Sequence, residues 1–339
     1  MPRCSFGQRG IFTPERGIPF SPDLTRPLHF WYDGRENNLW RLSSMLTFQP
    51  VSAHPSGNCH LLCSGEDAIL IDASISFCGE ETAAIAERAL RGRRLCAILL
   101  SHSHYDHTTG LWWLHRTFPG APVLAHPAAI QNFARPGARS AIRALCRNAA
   151  ALYTGDAERG FLPEESFSSC TPCADGQEIP FGRSCARILF TPGHTRDSLS
   201  VDFPGEGVLW LCETLGFWDG RSDGAIQPCY LSGYQDTLDS IGRMSALLPR
   251  RLILTHSRML DEAGSVSFLP RSREIVAGCA ERILRWYDAG LSLPEILRRY
   301  EEAYHDEKCA GLQPMEAFRI NAEATIRVTL RELRGAVHI

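Results

Sequence analysis

The sequence has no long hydrophobic run, no excess of charge of one sign and no glycine-rich phosphate loop. Each absence removes a class of function. No apolar stretch approaches the roughly 20 residues that a membrane helix needs, and the start, Met1 to Arg9, lacks the apolar core of a secretory signal. These two gaps predict a cytoplasmic protein with no membrane partner. Lys and Arg number 35 against 38 Asp and Glu, a net charge of −3, which leaves no basic face for nucleic acid. No Rossmann fingerprint, P-loop or Gly-x-Ser-x-Gly elbow occurs, which argues against nucleotide-dependent chemistry and serine hydrolysis.

What remains is a globular composition. At 339 residues, 44% hydrophobic and 22% charged, the chain can build one large domain or two modest ones. The 13 cysteines are odd in number and scattered, often inside strand-like runs (Cys59, Cys63, Cys96, Cys212), which suits reduced, buried thiols. Cys170 and Cys173 have CxxC spacing, but no second pair accompanies them, so they read as an ordinary loop. Residues 1 to 40 are rich in Pro, Gly and Arg without a sustained period, and read as an N-terminal extension.

From Met45 short apolar runs alternate with turns, then with helical periods. Strands are expected at 68–71, 95–100, 123–125, 186–190, 208–211 and 252–254, and helices at 80–90, from about 110, and at 141–152. Beyond Pro270 the pattern is helical throughout. One helix is expected over 271–289, stopped by Gly290, and a second opens on the capping box Ser292-Leu293-Pro294-Glu295. A third runs from about 314 to 334, with Phe318, Ala322, Ile326, Leu330 and Leu333 on one side. Domain boundaries follow: 1–40, a main domain over 41–265, and a helical segment over 266–339. His60, His126 and the His305/Cys309 pair read as structural residues.

One stretch carries the chemistry. Ser101-His102-Ser103-His104-Tyr105-Asp106-His107 packs three histidines and an aspartate into six residues directly after the apolar run Ile98-Leu99-Leu100. In extended or looped backbone, residues i and i+2 project to one side, so His102 and His104 can grip one metal ion together. Asp106 and His107 follow where the chain turns, free to serve a second ion beside the first.

At these residues the chain resembles the metallo-β-lactamase superfamily of metal-dependent hydrolases, whose signature is His-x-His-x-Asp-His after a core strand. Three further stretches are similar in order: Thr191-Pro192-Gly193-His194-Thr195, Leu211-Cys212-Glu213-Thr214, and Leu254-Thr255-His256. Upstream, Ser56 to Leu62 and Ala68 to Asp72 look like the early hairpin, so the resemblance spans roughly Leu46 to Ser257. It implies an α/β fold, a metallo-β-lactamase-like αββα sandwich with a C-terminal helical appendage. It also implies two divalent metal ions, zinc by default, with iron or manganese as alternatives. His102, His104 and His194 would hold the first and Asp106, His107 and His256 the second. Glu213 would bridge them, standing where the family usually carries Asp, and Asp106 would also act catalytically by accepting a proton from the attacking water.

The helical appendage resembles that of cytosolic thioesterases of the aminobenzoylacetyl-CoA thioesterase and glyoxalase II type. That likeness implies hydrolysis of a small-molecule thioester, acyl-CoA-like, by metal-bound hydroxide. A thiolate departs with little acid help, and Tyr105, Tyr230 and Tyr234 are the candidate acids, equally readable as core aromatics. A lactone or ester hydrolase of the same fold is the alternative, as is a regulatory or interaction protein that retains the hydrolase site. No nucleic-acid partner is expected, and there is room for a homodimer.

Overall fold

The computed structural model describes residues 40–41, 46–167, 170–218, 226–256, 258–305 and 315–336. The expected N-terminal extension and Cys309 therefore lie outside the described residues, apart from Trp40. Two sheets face each other. The first runs in chain order through β1 (Trp40–Arg41), β2 (Thr47–Pro50), β3 (His60–Ser64), β4 (Asp67–Ile71), β5 (Arg94–Leu100), β6 (Val123–Ala125) and β7 (Cys170–Pro172). Its first four strands pair antiparallel, and β4 through β7 pair parallel.

The second half contributes β8 (Glu178–Phe181), β9 (Ser184–Phe190), β10 (Leu199–Phe203), β11 (Val208–Leu211), the small ribbon β12 (Phe217–Trp218) with β13 (Ile226–Gln227), then β14 (Arg251–Leu254) and β15 (Arg258–Leu260). The second sheet has the order β15-β14-β11-β10-β9-β8, with only β11 and β14 parallel. All six expected strands are present.

The two faces of the first sheet follow the period of two that strands impose. Ile69, Ile71, Ala97 and Leu99 point between the sheets, where they meet Ile188, Val201, Phe203 and Trp210 of the second sheet. Ala68, Leu70, Ile98 and Leu100 point the other way, onto helices α1 (Gly79–Leu90), α3 (Leu111–Thr117), α4 (Pro127–Ala134) and α5 (Pro136–Thr154), with the one-turn α2 (Tyr105–Thr108) between α1 and α3. Strands buried on both faces need near-continuous apolar runs, and Ala97-Ile98-Leu99-Leu100 is one.

Four helices differ from the sequence expectation, one of them the 12-residue helix over Tyr234–Ser245, which was not anticipated. The 19-residue α5 begins at Pro136, five residues earlier than the apolar period suggested, because Pro136 occupies the first helical position, where its missing N–H costs nothing. α4 was not anticipated; His126 caps it, its Nδ1 accepting from Ala128 N at 2.9 Å, which gives this histidine the structural role expected of it. After α6 (Tyr234–Ser245), α7 (Glu262–Asp288) starts well before 271 and carries Pro270 in its interior. Asp261 caps that earlier start by accepting from Gly264 N at 2.8 Å.

α8 (Leu293–Tyr304) has the expected capping box, with Glu295 accepting from Ser292 N at 2.8 Å. α9 (Met315–Arg334) buries Phe318, Ala322, Ile326 and Leu330 on one side. Among the described residues no helix is long and apolar enough to cross a membrane.

Candidate metal centre

Four strand ends deliver the site. β5 ends at Leu100, and the chain leaves it through a bend at His102 and Ser103 before α2 carries Asp106 and His107. β9 ends at Phe190 and hands on to Gly193-His194, β11 to a 3₁₀ turn at Glu213–Leu215, and β14 to Thr255-His256. Because β11 and β14 are parallel neighbours, Glu213 and His256 emerge at the same end of the sheet. The His194 loop is fixed by Gly193, whose φ is +140° and whose added Cβ would lie 2.1 Å from Thr237 Oγ1 on α6. Only glycine fits that approach.

All seven sequence-nominated residues meet. His102, His104, His194 and Glu213 form one group and Asp106, His107, Glu213 and His256 a second, each offering donor atoms within 4.8 Å of one another. Glu213 belongs to both. Its Oε2 stands 3.0 Å from His194 Nε2 and 3.9 Å from His102 Nε2, while its Oε1 stands 2.9 Å from His256 Nε2 and 3.4 Å from His107 Nε2. Each carboxylate oxygen thus faces one histidine pair. Asp106 Oδ2 lies 3.6 Å from His107 Nε2 and 3.8 Å from His256 Nε2, on the side of the second group.

The imidazoles are oriented by what their far nitrogens touch. Asp72, fully buried, accepts from Asn58 Nδ2 at 2.6 Å, Ser101 N at 2.7 Å, Ser101 Oγ at 2.9 Å and His107 Nδ1 at 2.7 Å. His107 therefore carries its proton on Nδ1 and turns the Nε2 lone pair to the centre. Ser101 Oγ spends its hydrogen on Asp72 and so accepts from His102 Nδ1 at 3.0 Å, which sets the same tautomer there. His194 Nδ1 donates to the Cys229 carbonyl at 2.8 Å. Asn58 Oδ1 accepts from His256 N at 2.8 Å, tying the left-handed turn at His256 to the same network.

The donor set fits metal. His102 Nε2 and His107 Nε2 are buried with no hydrogen-bond partner among the described residues, a costly arrangement unless the lone pairs have another acceptor for their electrons. Burial, then the neighbouring His107, holds His102 well below the ordinary histidine range; burial, then His194, pushes His104 down to about 3. Both are neutral, the state in which imidazole ligates. Burial alone would raise the Glu213 carboxyl, but the surrounding imidazoles of His107, His194 and His256 outweigh it and hold the group well below the ordinary carboxylate range, ionised. The fold can therefore bind metal ions here, and mixed imidazole and carboxylate donors do not select one metal.

Asp72, Asn58 and the Cys229 carbonyl were not singled out from the sequence. Asp72 had a signal, an acid directly after a buried apolar strand, whereas a backbone carbonyl at Cys229 has none. The CxxC pair forms no metal group with other side chains; Cys170 opens β7 and the Cys173 amide donates to the Ala125 carbonyl at 2.9 Å, and among the described residues the two groups above are the metal-capable clusters. Tyr230, one of the candidate acids, is fully buried, with its hydroxyl on Thr329 of α9.

The comparisons agree with this geometry. The sequence is similar to a hydroxyacylglutathione hydrolase of Anaeromyxobacter dehalogenans, 31% identical over 161 residues, covering 48% of this chain and 46% of that protein. The counterpart in Gloeobacter violaceus is 27% identical over 124 residues, 37% of this chain and 36% of its own length. The matched region thus spans less than half of these relatives. Among solved structures, a metallo-beta-lactamase family protein of Thermus thermophilus superposes with a TM-score of 0.58 at 20% identity, over 87% of this chain and 96% of its own. An archaeal superfamily protein of Sulfolobus tokodaii gives 0.54 at 16% identity, over 84% and 98%. At such identities the likeness is one of fold. The family model of the metallo-beta-lactamase superfamily matches residues 54–256, which run from the loop after β2 to the last histidine of the centre, and the chain belongs to that superfamily.

Proposed function

We propose that the protein is a dinuclear metal-dependent hydrolase of a small thioester, of the acyl-CoA or acyl-glutathione kind, acting in the cytoplasm. The observation that carries the hydrolase reading is Glu213, with one carboxylate oxygen against each histidine pair. His102, His104 and His194 would hold one ion, Asp106, His107 and His256 the other, and Glu213 both. Two such ions supply Lewis acidity towards a carbonyl and a water acidified towards neutrality.

The chain's own residues do the rest. Asp72, Ser101 and the Cys229 carbonyl hold the three imidazoles in the tautomer that faces inward. Asp106 is raised above the ordinary carboxylate range, by burial first, and its side chain keeps 18% exposure, so it can take a proton from an attacking water. Support for a thioester comes from the partial likeness to hydroxyacylglutathione hydrolases and from chemistry, since a thiolate leaves without a strong acid.

The test is a panel of acyl-CoA thioesters, S-acylglutathiones, lactones, β-lactams and phosphodiesters with zinc-, iron- and manganese-loaded protein. Turnover is expected on thioesters and lost on chelation. Efficient lactone cleavage with inert thioesters would replace the substrate class, and inactivity on the whole panel by fully metallated protein would overturn the hydrolase reading.

A further inference from the structure

The segment from Pro228 to Gly233 runs between the His194 loop and the C-terminal helices, and it is bonded on both sides. On its inner side the Cys229 carbonyl accepts from His194 Nδ1 at 2.8 Å, Leu231 N donates to the His194 carbonyl at 3.2 Å, and Ser232 N and Gly233 N donate to the Gly193 carbonyl at 3.0 and 3.3 Å. The carbonyl that orients this imidazole, and the amides that hold the carbonyls of Gly193 and His194, belong to that strap.

On its outer side α8 and α9 hold it. Tyr300 of α8, 1% exposed, donates its hydroxyl to the Pro228 carbonyl at 3.2 Å. Tyr230 is bonded to Thr329 Oγ1 of α9 at 2.8 Å; Thr329 gives its own hydrogen to the Thr325 carbonyl, so Tyr230 is the donor. Arg331 Nη2 donates to the Ser232 carbonyl at 3.2 Å, and Glu332 Oε2 accepts from Tyr234 N and Gln235 N, both at 3.0 Å, where the strap enters α6. Carbonyl 228 is thus held by α8 and side chain 230 by α9, and the one between them, carbonyl 229, orients the histidine.

We infer that Tyr300 and Thr329 are positioning residues for the metal centre: through the Pro228–Gly233 strap the C-terminal helices set the direction of His194 Nε2. The inference rests on reading His194 as a ligand. It gives the helical appendage a role at the centre in addition to any cover over a substrate. A buried phenol and a buried hydroxyl aimed at successive residues of one irregular segment suit this task, since neither bond is supplied by the strap itself.

The test uses full-length protein and conservative variants that keep shape. Tyr300→Phe combined with Thr329→Val removes both buried bonds while leaving the seven proposed ligands in place. Zinc affinity, measured by competition with a chromogenic chelator, is expected to fall about tenfold, the lower end of what outer partners of ligands usually contribute. The visible spectrum of the cobalt-loaded protein should change with it. Glu332→Ala, on the exposed end of the strap, should lower affinity in the same direction and less.

Arg319→Gln is the control. It breaks the Arg319–Glu301 pair between α9 and α8, at 2.7 Å, without touching the strap, and should leave zinc affinity and the cobalt spectrum at their parent values. An unchanged affinity and spectrum in the double variant would overturn the inference. So would an equal loss in Arg319→Gln, which would reduce the effect to general loosening of the helices. His194→Ala separates this from the ligand reading: it should remove one ion, and full retention of metal with the parent spectrum would overturn that reading itself.

Discussion

Replacing Asp72 by Asn tests the network behind the centre with the least change of shape. The residue sits at φ +65°, a left-handed conformation that Asn tolerates, so the backbone adds no new strain. Four donors converge on the carboxylate: Ser101 N on Oδ1, and Asn58 Nδ2, His107 Nδ1 and Ser101 Oγ on Oδ2. An amide offers one oxygen. With that oxygen on the Oδ2 side, three donors keep an acceptor and Ser101 N faces the NH₂ group; turned over, three donors lose theirs. The first arrangement is the cheaper, and one buried donor left unmet costs about 1–3 kcal/mol. The three surviving bonds also weaken, because they no longer end on a charge. A destabilisation of about 3 kcal/mol is therefore expected in metal-free protein, read as a lower denaturant midpoint at unchanged slope. His107 would keep a partner on Nδ1 but lose the charge that sharpens its donor role, so zinc affinity should drop by about 10- to 100-fold. If midpoint and affinity both stayed at parent values, Asp72 would not be orienting His107, and the reasoning about its tautomer would fail.

Three other outcomes follow from the geometry. Glu213→Gln keeps length but leaves one oxygen for two histidine pairs, so elemental analysis should find the metal content reduced from the proposed two ions per chain towards one; two retained ions would show that the shared carboxylate is dispensable. Trp210→Phe removes the indole N–H that Trp210, buried between the sheets, donates to His60 Nδ1 at 2.8 Å, and the lost bond plus a small cavity should cost about 2–3 kcal/mol by denaturation. A cost under about 0.5 kcal/mol, the range of surface substitutions, would contradict that role. Asp67, at the exposed start of β4, is held at about 2, first by the Arg94 guanidinium and then by the Gly182 N–H. Its carboxylate stays charged until the pH falls towards that value, and in Arg94→Gln an NMR titration should find the midpoint moved up; an unmoved midpoint would assign the whole depression to Gly182.

How much of this was legible in the sequence depends on how local the cause is. The fold read well because the buried strands, such as Ile98-Leu99-Leu100 and Leu209-Trp210-Leu211, carry their burial in consecutive residues, and the resemblance ordered them. The seven side chains now gathered at the centre were legible for the same reason, each standing within four residues of a strand end or inside one short cluster. Helix starts were less so. Pro136 and Asp261 set the first turns of α5 and α7 through capping and a fixed φ, and an apolar period cannot register either. Tyr230 and Tyr300 carried the least signal. Each is a lone aromatic with no chemical motif around it, Tyr300 between Arg299 and Glu301, and its hydroxyl acquires meaning only because α8 and α9 return to a segment 72 and 99 residues earlier in the chain. A bond of that range leaves no periodicity and no spacing. Its partners are, besides, a backbone carbonyl at Pro228 and a threonine hydroxyl that any helix can carry, so nothing in either residue type marks it as belonging to a metal centre. The proposed ligands are written in the sequence as chemistry; the residues that bond to them from behind are written as packing, and packing is visible only once the chain has closed.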